Sequence, residues 1–465
     1  MKETMPEQPN DHLEHPFWVR FLPAPIREKI GSHGTLLDIL RNMGWLSFEK
    51  VFRFGVGLLV GVWVARYLGT DQFGSLNYAM SFAFLFGSFA GLGLEGIVVR
   101  EIVRDPGKKD VLLGTSIWLR LIGGSTSLIL TAIGASIAGM DGESRVLILI
   151  CASAFVFQSF DTVDSWFQAK VRSKFTVVTK SAAFFSVSVI KILCILFLAP
   201  LWVFALLFTI EIACGSLGLL LAYRIHGNDP LAWRFDGTVA RSLLRDSWPL
   251  ALSGLAIVIY MKIDQVMLGN FLGAHEVGIY SAAVRIVEVW YFIPSVIAVS
   301  VFPSIMEAKK KSGQLYLRRL QDLYDIVAMP ALVLALLATF FSRPIIVGLY
   351  GESYAAASTV LAIYVWSGIA VFLGVASSQY LMAENFVKYS MYRTIIGMVL
   401  NVVLNLLLIP KYGTTGSAWA TLISFSVSTF SLVVFPRTHP QVLMMLKSLI
   451  PMRRLVMAGK GRQSP

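Results

Sequence analysis

Charge is scarce in this sequence: Asp, Glu, Lys and Arg together make 15% of its residues, where soluble domains run near ~25%. Cysteine is almost missing. The three present, Cys151, Cys194 and Cys214, all fall inside apolar segments. That excludes a disulfide framework and a thiolate metal site by spacing, and small buried side chains account for all three. No zinc-ligand pattern, no Gly-rich phosphate cradle and no nucleophile elbow occurs. No metal and no cofactor is expected. A cleavable leader is not expected either. Residues 1–35 are polar, charged and proline-containing, with no apolar core after a basic start.

What the chain does have is hydrophobicity in long runs. Hydrophobic residues make 56% of its 465 positions, and the mean hydropathy is +0.68. The apolar runs approach ~20 residues, the length of helix that spans a bilayer. The expected fold is all-α and integral to the membrane. Twelve transmembrane helices are expected, at 44–66, 74–98, 112–138, 146–168, 176–199, 201–223, 247–270, 276–304, 323–348, 356–382, 387–409 and 414–436.

A net charge of +12 suggests nucleic acid, but its distribution argues against that partner. Lys and Arg in and within seven residues of the loops after even-numbered spans number 19; the loops after odd-numbered spans hold four, Arg66, Arg145, Arg343 and Lys411. Positive residues stay on the cytoplasmic side. The expectation is a multi-pass protein of the cytoplasmic (inner) membrane with both termini cytoplasmic. Every loop on the other side is short, which leaves no room there for a catalytic domain. A transporter is expected, not an enzyme.

Residues 67–79 and 271–283 read almost alike, 204 positions apart. Each carries Leu-Gly, a second Gly five residues later, then Ala five further on: Gly69, Gly74 and Ala79, against Gly273, Gly278 and Ala283. A duplicated turn between apolar segments points to two six-helix bundles related by an internal repeat, facing a shared cleft. The expected organisation is a cytoplasmic tail at 1–43, a first bundle at 44–223, a cytoplasmic connecting loop at 224–246 acting as hinge, a second bundle at 247–436 and a basic tail at 437–465. Leu36, Leu37, Leu40 and Arg41 form an amphipathic turn in the first tail. The basic tail either lies on the anionic inner leaflet or stays disordered.

A charge at mid-membrane costs ~2.5–3.5 kcal/mol on insertion scales, so such residues face a bundle interior or a wet cavity. Glu49, Lys50 and Arg53 enter the first span, and Arg120 lies in the third. Lys191 and Glu211 lie near the middle of spans five and six, Lys262 and Asp264 in span seven, Arg285 and Glu288 in span eight. For each, a structural ion pair locking two helices is the alternative to a functional role. Asp161 and Asp164 sit nearer an end of span four, where charge is cheaper. Cations exceed anions in these spans, and an inward cationic surplus suits an anionic cargo.

In order along the chain stand ARYLGTDQFG at 65–74, DSWFQ at 164–168, DQVMLG at 264–269, VGIYSAAVR at 277–285, Phe302-Pro303, LYGESY at 349–354 and PKYGTTGSA at 410–418. Each is weak alone. Together, near their span ends, they make the chain resemble the polysaccharide-repeat flippases of the multidrug/oligosaccharidyl-lipid/polysaccharide exporter superfamily, over most of residues 40–436. Ala169 departs from the Gly often found after that Phe-Gln. The resemblance implies a V-shaped cleft, alternating access and a polyprenyl-diphosphate-linked oligosaccharide as cargo. It implies membrane lipid around the cargo's tail, and a polysaccharide polymerase and chain-length regulator as partners. The expected substrate-binding residues are Lys50, Arg53, Arg120, Lys191, Lys262 and Arg285. Asp264, Glu288 and Glu211 are expected to bind a coupling H+ or Na+. Rival readings are a multidrug or organic-cation antiporter, whose cavity should be anionic and aromatic, and a membrane polysaccharide polymerase. A lipid-linked peptidoglycan precursor would differ only in cargo.

Overall fold

Unbroken apolar runs fold as long helices, because each backbone N–H and C=O is then satisfied within its own segment. The computed structural model describes residues 34–450. The helices there are α1 (Gly34–Gly91), α2 (Leu94–Arg104), α3 (Lys109–Ile137), α4 (Gly142–Phe157), α5 (Thr162–Ala169), α6 (Ser173–Leu196), α7 (Leu201–Ile225) and α8 (Gly237–Leu272). They continue as α9 (Ala274–Glu288), α10 (Phe292–Lys311), α11 (Gly313–Phe340), α12 (Ser342–Tyr350), α13 (Ala357–Tyr364), α14 (Ser367–Ala383), α15 (Val387–Phe430) and α16 (His439–Ser448). The amphipathic turn expected around Leu36, Leu37, Leu40 and Arg41 and the side chain of Glu49 lie outside the described side chains.

Among the described residues, ten stretches are long and apolar enough to cross a membrane. Two of them, Phe52–Arg104 and Lys388–Val434, each cover two of the expected spans. The long helix in each is interrupted by a glycine with non-helical backbone: Gly69 in α1 (φ 68°, ψ 177°) and Gly413 in α15 (φ 59°, ψ −139°). Positive φ is open to glycine at no steric cost. At Gly413 the chain doubles back, and a Cβ on Gly416 would stand 2.4 Å from the Leu408 carbonyl oxygen. The ninth span sits earlier than its expected 323–348. Helix α11 ends at Phe340, and residues 342–350 form the separate α12.

Three cores hold the helices together. The largest joins distant parts of the chain, with Ala65, Leu68 and Phe73 packed among Val277, Tyr280 and Tyr354. Both copies of the repeated turn meet here. A Cβ on Gly74 would stand 1.8 Å from the Ala274 carbonyl oxygen, and one on Gly278 would stand 2.1 Å from that of Thr70. A shift of 204 positions exchanges the two contacts. Arg66 donates to the carbonyls of Gly348 and Leu349, both at 2.6 Å, and the Tyr354 hydroxyl donates to Ala65 at 2.8 Å. At the opposite end two separate cores replace the single one. One is built around Leu94, Trp166, Phe167 and Tyr223, the other around Tyr324, Phe372, Leu432 and Met445. They have no residue in common.

The 224–246 connection is strapped down along its length. Lys109 Nζ donates to Asn228 at 3.0 Å, the Arg234 amide to Asp110 at 3.2 Å, the Trp233 indole to the Tyr223 hydroxyl at 3.3 Å and the Asp236 amide to Thr115 at 3.1 Å. Ala240 and Leu243 of α8 belong to the core around Trp166, whereas Val266 and Leu268 of the same helix belong to the shared core. Pro249 lies between them, and an internal proline removes one helical hydrogen bond. Part of the expected basic tail is packed: α16 buries Gln441, Val442, Met444 and Met445, three of them in the core around Tyr324.

Candidate functional site

The intramembrane charges fall into five settings. In the first, Glu211 of α7 takes two cations. Lys191 of α6 approaches it at 3.1 Å and Arg53 of α1 at 3.3 Å. Side-chain exposures of 15% for Glu211 and 37% for Arg53 place the pairs at a partly open surface. The Arg53 guanidinium also lies over the Phe184 ring, 5.2 Å from its centroid. Lys50, one turn earlier on α1, is exposed. Among the described side chains, one carboxylate here meets two cations.

In the second group Lys262 of α8 and Glu288 of α9 pair at 3.7 Å, each side chain 25% exposed. At that separation the contact is ionic without a hydrogen bond, and Glu288 Oε1 is buried with no hydrogen-bond partner.

Arg285, one turn before Glu288, makes up the third. It is half-buried where α9 crosses α1. A Cβ on Gly61 would stand 2.5 Å from its Nη1, so glycine there makes room for the guanidinium. Its other neighbours are aromatic. The Phe73 centroid lies 5.9 Å away, and the guanidinium acts electrostatically on Tyr350, whose hydroxyl is buried without a partner. Among the described residues no carboxylate lies within ion-pairing distance of Arg285.

Asp264 stands apart from all of these, 3% exposed. Its carboxylate accepts from the Tyr280 hydroxyl at 2.7 Å, Thr421 at 2.6 Å and Asn405 at 3.0 Å. Ser417 in turn donates to Asn405 at 2.8 Å. Asn401, one turn before Asn405 and within reach of the carboxylate, is fully buried with both amide atoms unpartnered. Asp264 has no cation within ion-pairing distance among the described residues. Lys262, two positions away, goes to Glu288 instead.

Arg120 is the last of the expected cargo residues, and it lies elsewhere. It is 6% exposed inside the helices of residues 94–225, and its Nε is buried without a partner. The structure thus brings together Arg53, Lys191 and Glu211, and separately Lys262 and Glu288. It leaves Arg285, Asp264 and Arg120 each in its own setting.

Residues 39–309 match the family described as "Polysaccharide biosynthesis protein". The chain belongs to that polysaccharide biosynthesis family. Residues 249–407 also match the family described as "MatE", and both matches agree with the resemblance to the multidrug/oligosaccharidyl-lipid/polysaccharide exporter superfamily. It is similar to the "Probable low-salt glycan biosynthesis flippase Agl15" of Haloferax volcanii, 29% identical over 194 residues. That match covers 41% of this chain and 40% of the relative's length. In fold it is similar to the lipid II flippase MurJ in an inward closed conformation, with TM-score 0.69 at 18% identity, over 89% of this chain and 92% of that one. It is also similar to an inward-facing multidrug resistance MATE transporter, with TM-score 0.65 at 17% identity, over 88% and 96%.

This polysaccharide biosynthesis family member carries site residues that sequence reasoning passed over. Tyr280, Asn405, Ser417 and Thr421 surround Asp264. Their signal was a polar stripe in apolar spans, Asn401 and Asn405 then Ser417 and Thr421, each pair one helical turn apart. Arg393 counted as a loop cation in the sequence. It is 9% exposed and donates to Ser377 at 2.9 Å, Ser378 at 2.8 Å and Gly374 at 3.0 Å. Gln441 of α16 bonds the same Ser377.

Proposed function

We propose that this protein flips a polyprenyl-diphosphate-linked oligosaccharide from the inner to the outer leaflet for surface polysaccharide assembly, by alternating access and coupled to an ion. The observation that carries the reading is Arg285. A half-buried guanidinium with no carboxylate in reach among the described residues, set where the two halves of the chain cross, is a strong receptor for a phosphate oxygen once water is thinned. The cluster of Arg53, Lys191 and Glu211, with Lys50 beside it, would receive the diphosphate first. Lys262 would hold or release it after the switch, exchanging Glu288 for cargo. Arg120 would join only in a conformation that opens the first half around it.

In this reading Gly69 and Gly413 each divide one long helix into two spans, giving twelve in two bundles of six. Both termini face the cytoplasm. The shared core then closes the outer end, and the separate cores flank a cleft open to the inside. Rocking would use Pro249 of α8, because the 224–246 strap is bonded to the first half. Asp264 would take the coupling ion. A buried carboxylate with no cation in reach among the described residues, beside an unpartnered carboxamide, gains from a proton or sodium ion. Glu211 and Glu288 remain second choices because each already holds a cation. The chemistry asks for no catalytic group, and the polymerase and chain-length regulator would act after release.

The test is a deletion strain. Loss of surface polymer, with short lipid-linked saccharides trapped on the cytoplasmic leaflet, is the expected result. Normal polymer with altered sensitivity to cationic drugs would favour an organic-cation antiporter instead.

A further inference from the structure

The short helix α12 buries Ile346 and Tyr350, one turn apart. Gly351 ends it at φ 95°, a backbone open to glycine. The chain then folds back, and the Tyr354 ring lies 5.4 Å from that of Tyr350. Tyr354 meets Phe73 of α1 edge-on at 6.2 Å, and Phe73 is the ring beside the Arg285 guanidinium. Three rings thus run from Arg285 to Tyr350. Tyr350 is 1% exposed, and its hydroxyl has no hydrogen-bond partner among the described residues. The neighbouring Tyr354 hydroxyl is satisfied by the Ala65 carbonyl. The charge that acts on Tyr350 is that of Arg285.

A buried hydroxyl left without a partner is costly and calls for a missing group. Guanidinium N–H groups only donate, so Arg285 offers the Tyr350 proton no acceptor. The group that serves both is an oxygen accepting from each, and the positive charge beside it favours an anionic one. We propose that Tyr350 is the second donor to the phosphate oxygen that Arg285 receives, making the receptor a guanidinium–phenol pair. The inference rests on the reading of Arg285 as that receptor. Its ligand is the diphosphate of a membrane lipid, because Arg285 lies in a stretch long and apolar enough to cross a membrane. The helix that carries Tyr350 is also held from the other half. The carbonyls of Gly348 and Leu349, left over at a helix C-terminus, accept from Arg66 of α1. Phosphate at Tyr350 therefore lies one residue from the contact that fastens α12 to α1.

Isothermal titration of the purified full chain in nanodiscs, with polyprenyl diphosphate and with inorganic diphosphate, tests this. Tyr350→Phe keeps the ring and removes only the hydroxyl. It should weaken polyprenyl diphosphate binding about tenfold or more, the loss of one hydrogen bond to a charged group. Without ligand its melting temperature should not fall, since an unpartnered hydroxyl has no native bond to lose. Arg285→Ala should weaken the same ligand, and adding Tyr350→Phe to it should cost little more, because the two act on one oxygen. Unchanged affinity in Tyr350→Phe with a loss in Arg285→Ala would overturn the second donor and leave the receptor standing. Unchanged affinity in both would overturn the receptor as well. A lower melting temperature of Tyr350→Phe without ligand would mean that the hydroxyl already has a partner. Inorganic diphosphate bound as tightly as the lipid would assign the pair to free phosphate. Either result overturns the proposal.

Discussion

Asp71 and His275 are 204 positions apart in sequence and 3.4 Å apart in space, carboxylate Oδ2 to imidazole Nδ1. They are matching positions of the duplicated turn, and they face each other across the core that joins the two halves. Both are well exposed, so the pair itself is worth only ~0–1 kcal/mol. Asp71→Ala should barely move the melting temperature. A cross-link between Asp71→Cys and His275→Cys should instead hold this end shut. Oxidation is expected to stop transport and reduction to restore it. Transport unaffected by complete cross-linking would remove this end as a gate.

Arg285→Ala should lower flipping by roughly 10- to 100-fold, taking ~1.5–3 kcal/mol for a charge-assisted hydrogen bond and tenfold per ~1.4 kcal/mol. Protein level in the membrane should hold. Arg285→Lys should recover part of the rate, since a lysine supplies charge without the planar fork. Gly61→Ala, which crowds Nη1, should give a smaller loss. Initial rates in vesicles with matched protein content check the order.

Asp264→Ala removes an acceptor from Tyr280, Thr421 and Asn405; Thr421 and Asn405 keep the carbonyls of Ser417 and Asn401 at 3.1 Å and 2.9 Å, so the cost falls mainly on the Tyr280 hydroxyl, at ~1–3 kcal/mol for a buried group left unpaired. A clear fall in melting temperature is expected. Asp264→Asn keeps the shape and should cost less. It should nevertheless abolish any stabilisation by sodium or by falling pH that the wild type shows at this site. Melting curves across pH and sodium concentration separate the two effects.

Asp236 caps α8 through the Thr238 and Val239 amides at 2.7 Å and 3.0 Å. The Thr238 hydroxyl, then these amides, hold its carboxyl below the usual range. A depressed value means that the cap's contribution is present above the unfolded carboxyl's value and is lost as pH falls through the folded one. Asp236→Ala should lower stability at neutral pH and flatten the acid limb of the wild-type profile. A melting series from pH 7 into the acid range reads both.

Most helices were legible because a bilayer demands long apolar runs, and those runs mark where most of the helices lie. The repeated glycines carried more than a turn signal: Gly74 and Gly278 let the two copies touch. Partner choice was less legible. Lys262 and Asp264 sit two apart, yet one pairs with Glu288 on another helix and the other is wrapped by hydroxyls and an amide. Nothing local decides between such arrangements. Asn405 and Thr421 were not singled out in the sequence, and Ser417 only as part of the 410–418 stretch, because helix packing and a site use the same small polar side chains. The 224–246 segment read as a hinge because it is the longest inner loop. Its hydrogen bonds run to Asp110, Thr115 and Tyr223, which sequence proximity does not reveal.

The most direct measurement uses the full chain in proteoliposomes loaded with a fluorescent polyprenyl-diphosphate oligosaccharide. A membrane-impermeant quencher reports how much of the headgroup has reached the outer face over time. The account predicts accelerated exposure that depends on Arg285 and responds to an imposed proton or sodium gradient. Exposure no faster than in protein-free vesicles, with the same protein moving an organic cation, would contradict it.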